Sequence, residues 1–217
     1  MFWIIALLFV AMGFSVGLFS AVTMHRPGTR RGRALIRVAE TMAYTYEAVG
    51  RSLVKEWFIR FPLFRTGHAV IPQNVLRGTY RNTDFVMFDF EFTQAHHRRQ
   101  TVVAFPLKQS QLPNFILWPR SLHLRHEIGI NATDRQIDLT GTVRFPQRYE
   151  LFAHNRDAMH DLFTPRVQKS LDRLPECCAE GGGTWVIVYR FDQLVAPRHV
   201  DDHLRSAWQV YRALRVQ

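Results

Sequence analysis

Histidines and carboxylates are the side chains of this sequence that could bind a metal ion or act as acids and bases. The ten histidines include three short groups that could contribute to a metal site. These are His96 with His97, His123 with His126, and His199 and His203 with Asp201 and Asp202. Zinc needs three or four converging ligands held by fixed partners. A short fragment of this kind does not by itself indicate a converging ligand set, so we expect no metal and no cofactor.

Two further sets of carboxylates could take part in acid and base chemistry. Asp157, His160 and Asp161 are spaced by three and four residues, so they share one face of a predicted helix. The alternative is a solvated helix face with local pairing. Asp89 and Glu91 alternate with apolar residues of a predicted strand, and we interpret them as solvent-facing, although they could form a paired carboxylate on a groove floor.

The cysteines and the glycine run have simpler interpretations. Cys177 and Cys178 are adjacent, and adjacent cysteines rarely form a disulfide with each other. We interpret them as an exposed pair in a reducing compartment. A soft-metal or redox role is the alternative. Gly181 to Gly183 precede a strand instead of opening a helix, which predicts a flexible turn and no phosphate loop. No catalytic motif occurs, so no catalytic residue is assigned and enzyme activity is the less favoured interpretation.

The beginning of the chain predicts a membrane anchor. The segment from Phe2 to Met24 contains no charged residue, and as a helix it would span roughly 34 Å, enough to cross a bilayer. A cleaved signal peptide normally has a basic start and a shorter apolar run. Residues 1–24 are therefore predicted to be a transmembrane helix.

Arginines after this segment predict its direction. Five of them occur close together, namely Arg26, Arg30, Arg31, Arg33 and Arg37. The positive-inside rule then places the N-terminus outside and the following domain in the cytoplasm, at the inner membrane of the cell. The arginines would contact anionic headgroups. Half of the net charge of +10 lies in residues 1–60, so the basic balance does not call for a nucleic-acid partner.

Small residues within the anchor indicate a packing surface. Gly13, Gly17 and Ala21 recur at every fourth position, which lines one helix face with small side chains. Such a face lets a second membrane helix approach closely, either from another copy or from a larger complex. We expect the bilayer and other membrane or cytoplasmic protein subunits as partners.

The remaining chain predicts an α+β domain. Apolar residues from Ala34 to Phe58 step by three and four, which predicts an amphipathic juxtamembrane helix with a possible break at Gly50, in a segment covering residues 25–60. The domain itself covers residues 61–217. Strands of an antiparallel sheet are predicted from residues 75–80, 84–93, 101–105, 115–118, 137–143, 149–153 and 184–191. Helices are predicted after Asn155, from Thr164 to Leu174, and from Val200 to Val216.

Several short segments carry a resemblance to a known group of proteins. They read FPLFRTG, NVLRG, FDFEF, QTVVAF and LPNFILWP, between about Phe61 and Pro119, with weaker similarity from Tyr149 to Phe191. They resemble bacterial single-pass membrane proteins that carry a cytoplasmic α+β domain of unknown function. The resemblance implies the anchor and the fold, and it implies no activity.

These observations favour a membrane-anchored cytoplasmic binding or assembly module, an accessory subunit of a membrane protein complex. The anchor, the juxtamembrane helix and the small-residue stripe all suit assembly, and no catalytic motif competes with them. The alternative is a membrane-tethered enzyme such as a metal-dependent hydrolase that uses histidine and aspartate side chains.

Overall fold

A computed structural model describes residues 29–50, 53, 57, 60–69, 71–93, 96–108, 111–123 and 133–215. Within these ranges ten strands form one sheet in which every pairing is antiparallel. The strands are β1 (Thr45–Val49), β2 (His68–Ala69), β3 (Gln73–Tyr80), β4 (Thr83–Thr93), β5 (His97–Pro106), β6 (Leu112–Pro119), β7 (Arg135–Gln136), β8 (Tyr149–Ala153), β9 (Cys178–Gly183) and β10 (Trp185–Tyr189). Their order is β1-β3-β4-β5-β10-β9-β6-β8-β7, and β2 pairs with β4.

Six α-helices accompany the sheet in the described ranges. They are α1 (Arg30–Met42), α2 (Pro62–Arg65), α3 (Phe145–Arg148), α4 (Arg156–Leu162), α5 (Pro165–Asp172) and α6 (Val200–Arg215). The antiparallel sheet and the C-terminal helices confirm the predicted α+β class. None of the helices described is long and apolar enough to cross a membrane. The predicted anchor, with Gly13, Gly17 and Ala21, lies outside the described residues, and so does Arg26.

Both faces of the sheet are buried, each by a separate apolar core. One core contains residues of α1, α4, α5 and α6, such as Leu35, Met159, Val167 and Leu204. The other contains Leu53, Trp57, Phe61 and Phe64. Alternate residues of β4 therefore enter different cores, since Met87 belongs to the first and Val86, Phe88, Phe90 and Phe92 belong to the second. The half-buried strand predicted here is instead covered on both sides.

The helix predicted from Ala34 to Phe58 is confirmed as far as Met42 and is wrong from Ala43 to Gly50. Helix α1 ends at Met42, because Ala43 adopts a left-handed backbone with φ of 55° and turns the chain into β1. Tyr44 then packs its ring edge-on against Phe85, with 4.9 Å between the ring centroids. Aromatic packing on the sheet outweighs the helical periodicity, which by chance continues into β1.

Two other predictions of local structure are also wrong. No strand occurs in the predicted range 137–143, and the short strand β7 precedes it. The Thr142 side chain instead bonds Gln168 (3.1 Å) and the backbone N–H of Phe145 (3.4 Å) at the start of α3. The glycine run is not a turn but the end of β9, and Gly181 and Gly182 are buried. By contrast, the Asn155 and Thr164 side chains cap α4 and α5 as predicted.

Candidate functional site

The start of α1 is held against the sheet by an ion pair between Arg31 and Asp89. Arg31 Nε lies 2.6 Å from one oxygen of the Asp89 carboxylate, and Nη2 lies 2.7 Å from the other. This two-bond geometry is the strongest arrangement for an arginine and a carboxylate. Asp89 is only 5% exposed. It is therefore not the solvent-facing residue that the alternation of β4 predicted.

The remaining lone pairs of Asp89 are satisfied by neighbouring strands. Asn74 Nδ2 donates to one oxygen at 2.8 Å, and the Thr101 hydroxyl donates to the other at 3.0 Å. The Tyr46 hydroxyl in turn donates to Asn74 Oδ1 at 2.8 Å. A buried charge is stable only when it is paired and fully hydrogen-bonded. These contacts therefore allow the ion pair between Arg31 and Asp89 to be buried. Four separate segments of the chain thus meet at one carboxylate.

Thr101 connects this network to a cleft beside it. Its hydroxyl accepts a hydrogen bond from the Val195 backbone N–H at 3.0 Å, and the Val195 carbonyl accepts one from Arg31 at 2.7 Å. The loop of residues 190–196 is thereby fixed between α1 and α6. A cleft of about 380 Å³ opens between this loop and the first turns of α6. Its lining includes Arg190 and His203.

His203 is the buried titratable group of the cleft. It is 7% exposed, and its Nε2 atom has no hydrogen-bond partner. Burial, together with the nearby Arg190 guanidinium, lowers the pKa of His203 to about 4, although a hydrogen bond to the Thr101 backbone opposes this shift. The imidazole is therefore neutral at pH 7. The bonded nitrogen donates to the Thr101 carbonyl, so Nε2 is left with an unpaired lone pair.

A second polar cluster lies in the core on the opposite face of the sheet. Glu180 is fully buried and accepts hydrogen bonds from the Tyr189 hydroxyl (2.7 Å) and from the Leu63 backbone N–H (3.3 Å). Burial raises the pKa of Glu180 to about 7, although these two bonds and Arg65 lower it in part. Burial likewise raises the pKa of Tyr189 and of the adjacent Cys178 thiol. This cluster is enclosed and serves the packing of β9 against β10 and α2.

The predicted histidine groups do not form metal sites within the described ranges. There, no three His, Cys, Asp or Glu side chains lie close enough to share a metal ion. His97 pairs with Glu91 at 3.3 Å, and His199 lies 3.6 Å from Asp202. His96 and His123 are exposed. His126 lies outside the described ranges.

The other candidate residues are separated from the cleft. Asp157 and Asp161 are exposed on α4, and the Nε2 atom of His160 lies 3.3 Å from Arg156 Nε, so this face is solvated with local pairing. The cysteine pair is not exposed as predicted, because Cys178 points into the core and is fully buried. Burial raises the pKa of the half-buried Cys177 to about 12.

The basic residues predicted to lie at the membrane surface have two different environments. Arg31 points inward to Asp89, so its guanidinium is not available to headgroups. Arg30, Arg33 and Arg37 lie on exposed positions of α1, and none of them pairs with a carboxylate in the described part of the chain. Their contact with the membrane remains a prediction.

Comparison with known proteins extends the description of the fold. No protein-family model matches the sequence, and no curated protein does. The resemblance noted from the sequence therefore stays a prediction. Among solved structures, the chain is similar to the crystal structure of the mycobacterial trehalose monomycolate transport factor A, TtfA. The TM-score is 0.64 at 21% identity, over 86% of this chain and 97% of that chain. At this identity the likeness establishes a shared fold alone.

The sequence alone identifies few of the residues that line the cleft. His203 was placed in a possible metal group with Asp201, whereas the structure gives it a different environment among backbone atoms and Arg190. Arg190 follows the apolar run of β10, and nothing in its local pattern marks it. The one available signal was a charged residue directly after a buried strand, which is typical of a site at a strand end.

Proposed function

We propose that this chain is a membrane-anchored cytoplasmic assembly module, an accessory subunit of a membrane protein complex that works in transport. The observation that carries the proposal is the ion pair between Arg31 and Asp89. It fixes the start of α1, which follows the predicted anchor in the sequence, to strand β4 of the sheet.

The chain between the predicted anchor and Arg31 is short, so the ion pair limits how far the domain can lie from the membrane. Arg31 follows Met24, the end of the apolar segment, by seven residues. At about 3.5 Å per residue, the chain between them reaches at most roughly 25 Å. If the segment crosses the bilayer, the domain is held close to the membrane in one orientation. Such an arrangement suits a subunit that presents a fixed surface to neighbouring proteins, whereas a freely acting enzyme needs only a flexible tether.

The exposed arginines of α1 support the same arrangement. Arg30, Arg33 and Arg37 are free of carboxylate partners in the ranges that the structure describes. Beside an anionic inner leaflet each would contribute up to about 1 kcal/mol of attraction. The stripe of Gly13, Gly17 and Ala21 would then supply the contact with a partner helix inside the bilayer.

The structural neighbour supports the link to transport. Its name describes a transport factor for trehalose monomycolate, and the shared fold spans nearly all of that chain. We extend only the general part of that role to this chain, namely assistance to a membrane transport process with lipid-related partners. The alternative of a metal-dependent hydrolase has no converging ligand set to support it among the described residues.

The experiment is a gentle extraction of the tagged full-length chain from its native membrane. We expect another membrane protein to co-extract in a fixed ratio, and tagging that protein should recover this chain in return. Recovery of the chain alone from the native membrane would contradict the proposal. Labelling of a C-terminal tag from outside intact cells would contradict the cytoplasmic placement of the domain.

A further inference from the structure

Two polar groups that have no partner among the described residues, the Arg190 guanidinium and Nε2 of His203, belong to the lining residues of one cleft. The cleft lies between the loop of residues 190–196 and α6, and its volume of about 380 Å³ lies within the range of small-molecule sites. Six of the lining side chains are polar, namely Arg190, Gln193, His199, Asp202, His203 and Ser206.

His203 supplies a hydrogen-bond acceptor to this cleft. Its side chain is 7% exposed, and its Nε2 atom is a buried nitrogen with no partner. Leaving a buried polar atom unpaired costs free energy, so native proteins rarely retain one without a use. A ligand that carries a hydroxyl group would satisfy the lone pair of Nε2.

Arg190 supplies a cation to the same cleft. Its guanidinium is half-buried and near enough to His203 to influence it electrostatically. No carboxylate pairs with it among the residues described. Asp202 is the acidic residue of the lining, and it is already bound by Arg205 at 3.3 Å and lies 3.6 Å from His199. The positive charge of Arg190 is therefore uncompensated.

We propose that this cleft binds a phosphate group that still carries one proton. The anionic oxygens accept hydrogen bonds from Arg190, and the P–OH group donates to Nε2 of His203. A carboxylate lacks the donor that a neutral imidazole requires. A neutral sugar supplies donors, but it leaves the charge of Arg190 uncompensated. A monoprotonated phosphate satisfies both groups at once.

The position of the cleft is consistent with either a lipid headgroup or a soluble phosphate. The Val195 carbonyl, on the cleft loop, accepts a hydrogen bond from Arg31 at the start of α1. Under the proposed function, the cleft therefore lies on the membrane side of the domain, and this clause alone rests on that proposal. The chemistry of Arg190 and His203 does not depend on it.

The test is a binding titration of the full-length protein in detergent micelles with inorganic phosphate. A second titration uses phosphatidylcholine vesicles that contain phosphatidic acid, with phosphatidylglycerol vesicles as the phosphodiester control. We expect Arg190→Ala and His203→Asn to weaken phosphate binding by about tenfold or more. Arg212→Ala, which removes an equal charge from the far end of α6, should change it less than about twofold.

Each outcome decides the proposal. Binding of inorganic phosphate with loss in Arg190→Ala supports it, and stronger binding of phosphatidic acid than of phosphatidylglycerol identifies a lipid source. No binding of either probe overturns it, and so does equal weakening by Arg190→Ala and Arg212→Ala. If a variant fails to fold, nitrogen NMR of the wild-type protein with isotope-labelled histidine provides the test. Bound phosphate must shift the Nε2 resonance of His203. An unshifted resonance overturns the proposal.

Discussion

Arg31 and Asp89 are separated by 58 positions in the sequence and form a two-bond ion pair beneath the loop of residues 190–196. The pair sets the position of α1 on the sheet, because Arg31 also donates to the Val195 carbonyl. A helix that could pack by its apolar stripe at several registers is thereby restricted to one.

Removal of Arg31 should destabilise the protein. Arg31→Met leaves the Asp89 carboxylate buried with only neutral partners, and we expect a loss of about 3 kcal/mol of unfolding free energy. Arg33→Met, on the exposed side of α1, is the control and should change the stability by less than about 0.5 kcal/mol. Urea unfolding of the full chain in micelles measures both. Equal effects of the two variants would show that the buried pair has no special role.

His203 should make the fold sensitive to acid. Its pKa in the folded protein is about 4, below the ordinary value of 6.5, so the unfolded chain binds the proton more readily. The contribution of neutral His203 to the unfolding free energy is fully present above pH 6.5. It is lost as the pH falls towards 4, by up to about 3 kcal/mol. His203→Gln should remove this slope, and the exposed His160→Gln should retain it. Urea unfolding between pH 4 and 7 is the measurement, and an unchanged slope in His203→Gln would refute this assignment.

Ionisation of Glu180 should give the stability of the fold the opposite dependence on pH. Its pKa in the folded protein is about 7, above the ordinary 4.5, so the folded chain holds the proton more tightly. Its contribution is present below pH 4.5 and is lost as the pH rises through 7, by up to about 3 kcal/mol. Glu180→Gln should remove this loss, whereas the exposed Glu47→Gln should leave it unchanged. Unfolding free energies from pH 5 to 8 test this, and a slope that survives in Glu180→Gln would contradict it.

Gly181 should tolerate no side chain. A Cβ atom at this position would lie 2.2 Å from Cε1 of Phe115, which is 2% exposed and packed against Phe163. Gly181→Ala should therefore cost about 1 to 3 kcal/mol through overpacking. Phe115→Leu in the same chain should recover part of the loss, because it vacates the space. If thermal unfolding shows no coupling between the two changes, the steric explanation fails.

Local patterns of the sequence predict many of the elements but not their environments. Strand β8 occurs at its predicted residues 149–153, and α4 and α5 begin at their predicted caps. These features depend on neighbouring residues alone. The burial of Asp89 depends on Arg31, and the extended backbone of Gly181 depends on Phe115, so neither could be read from a local window.

The candidate site was predictable only in part for the same reason. The spacing of His203 indicates a possible metal ligand, but its environment is built from Thr101 on β5 and from Arg190, which directly follows β10. The long-range pairing of β5 with β10 brings Thr101 close to Arg190, and the packing of α6 adds His203. A single sequence contains no signal for that pairing.

The most direct test of assembly in the membrane is the mass of the tagged full chain released from its membrane in mild detergent. We expect a discrete assembly well above the 25.4 kDa of one chain. Insertion of a flexible ten-residue segment after Gly28 should abolish this assembly, because an average reach of roughly 18 Å uncouples the domain from the anchor. A wild-type chain that is released only as a monomer would contradict it.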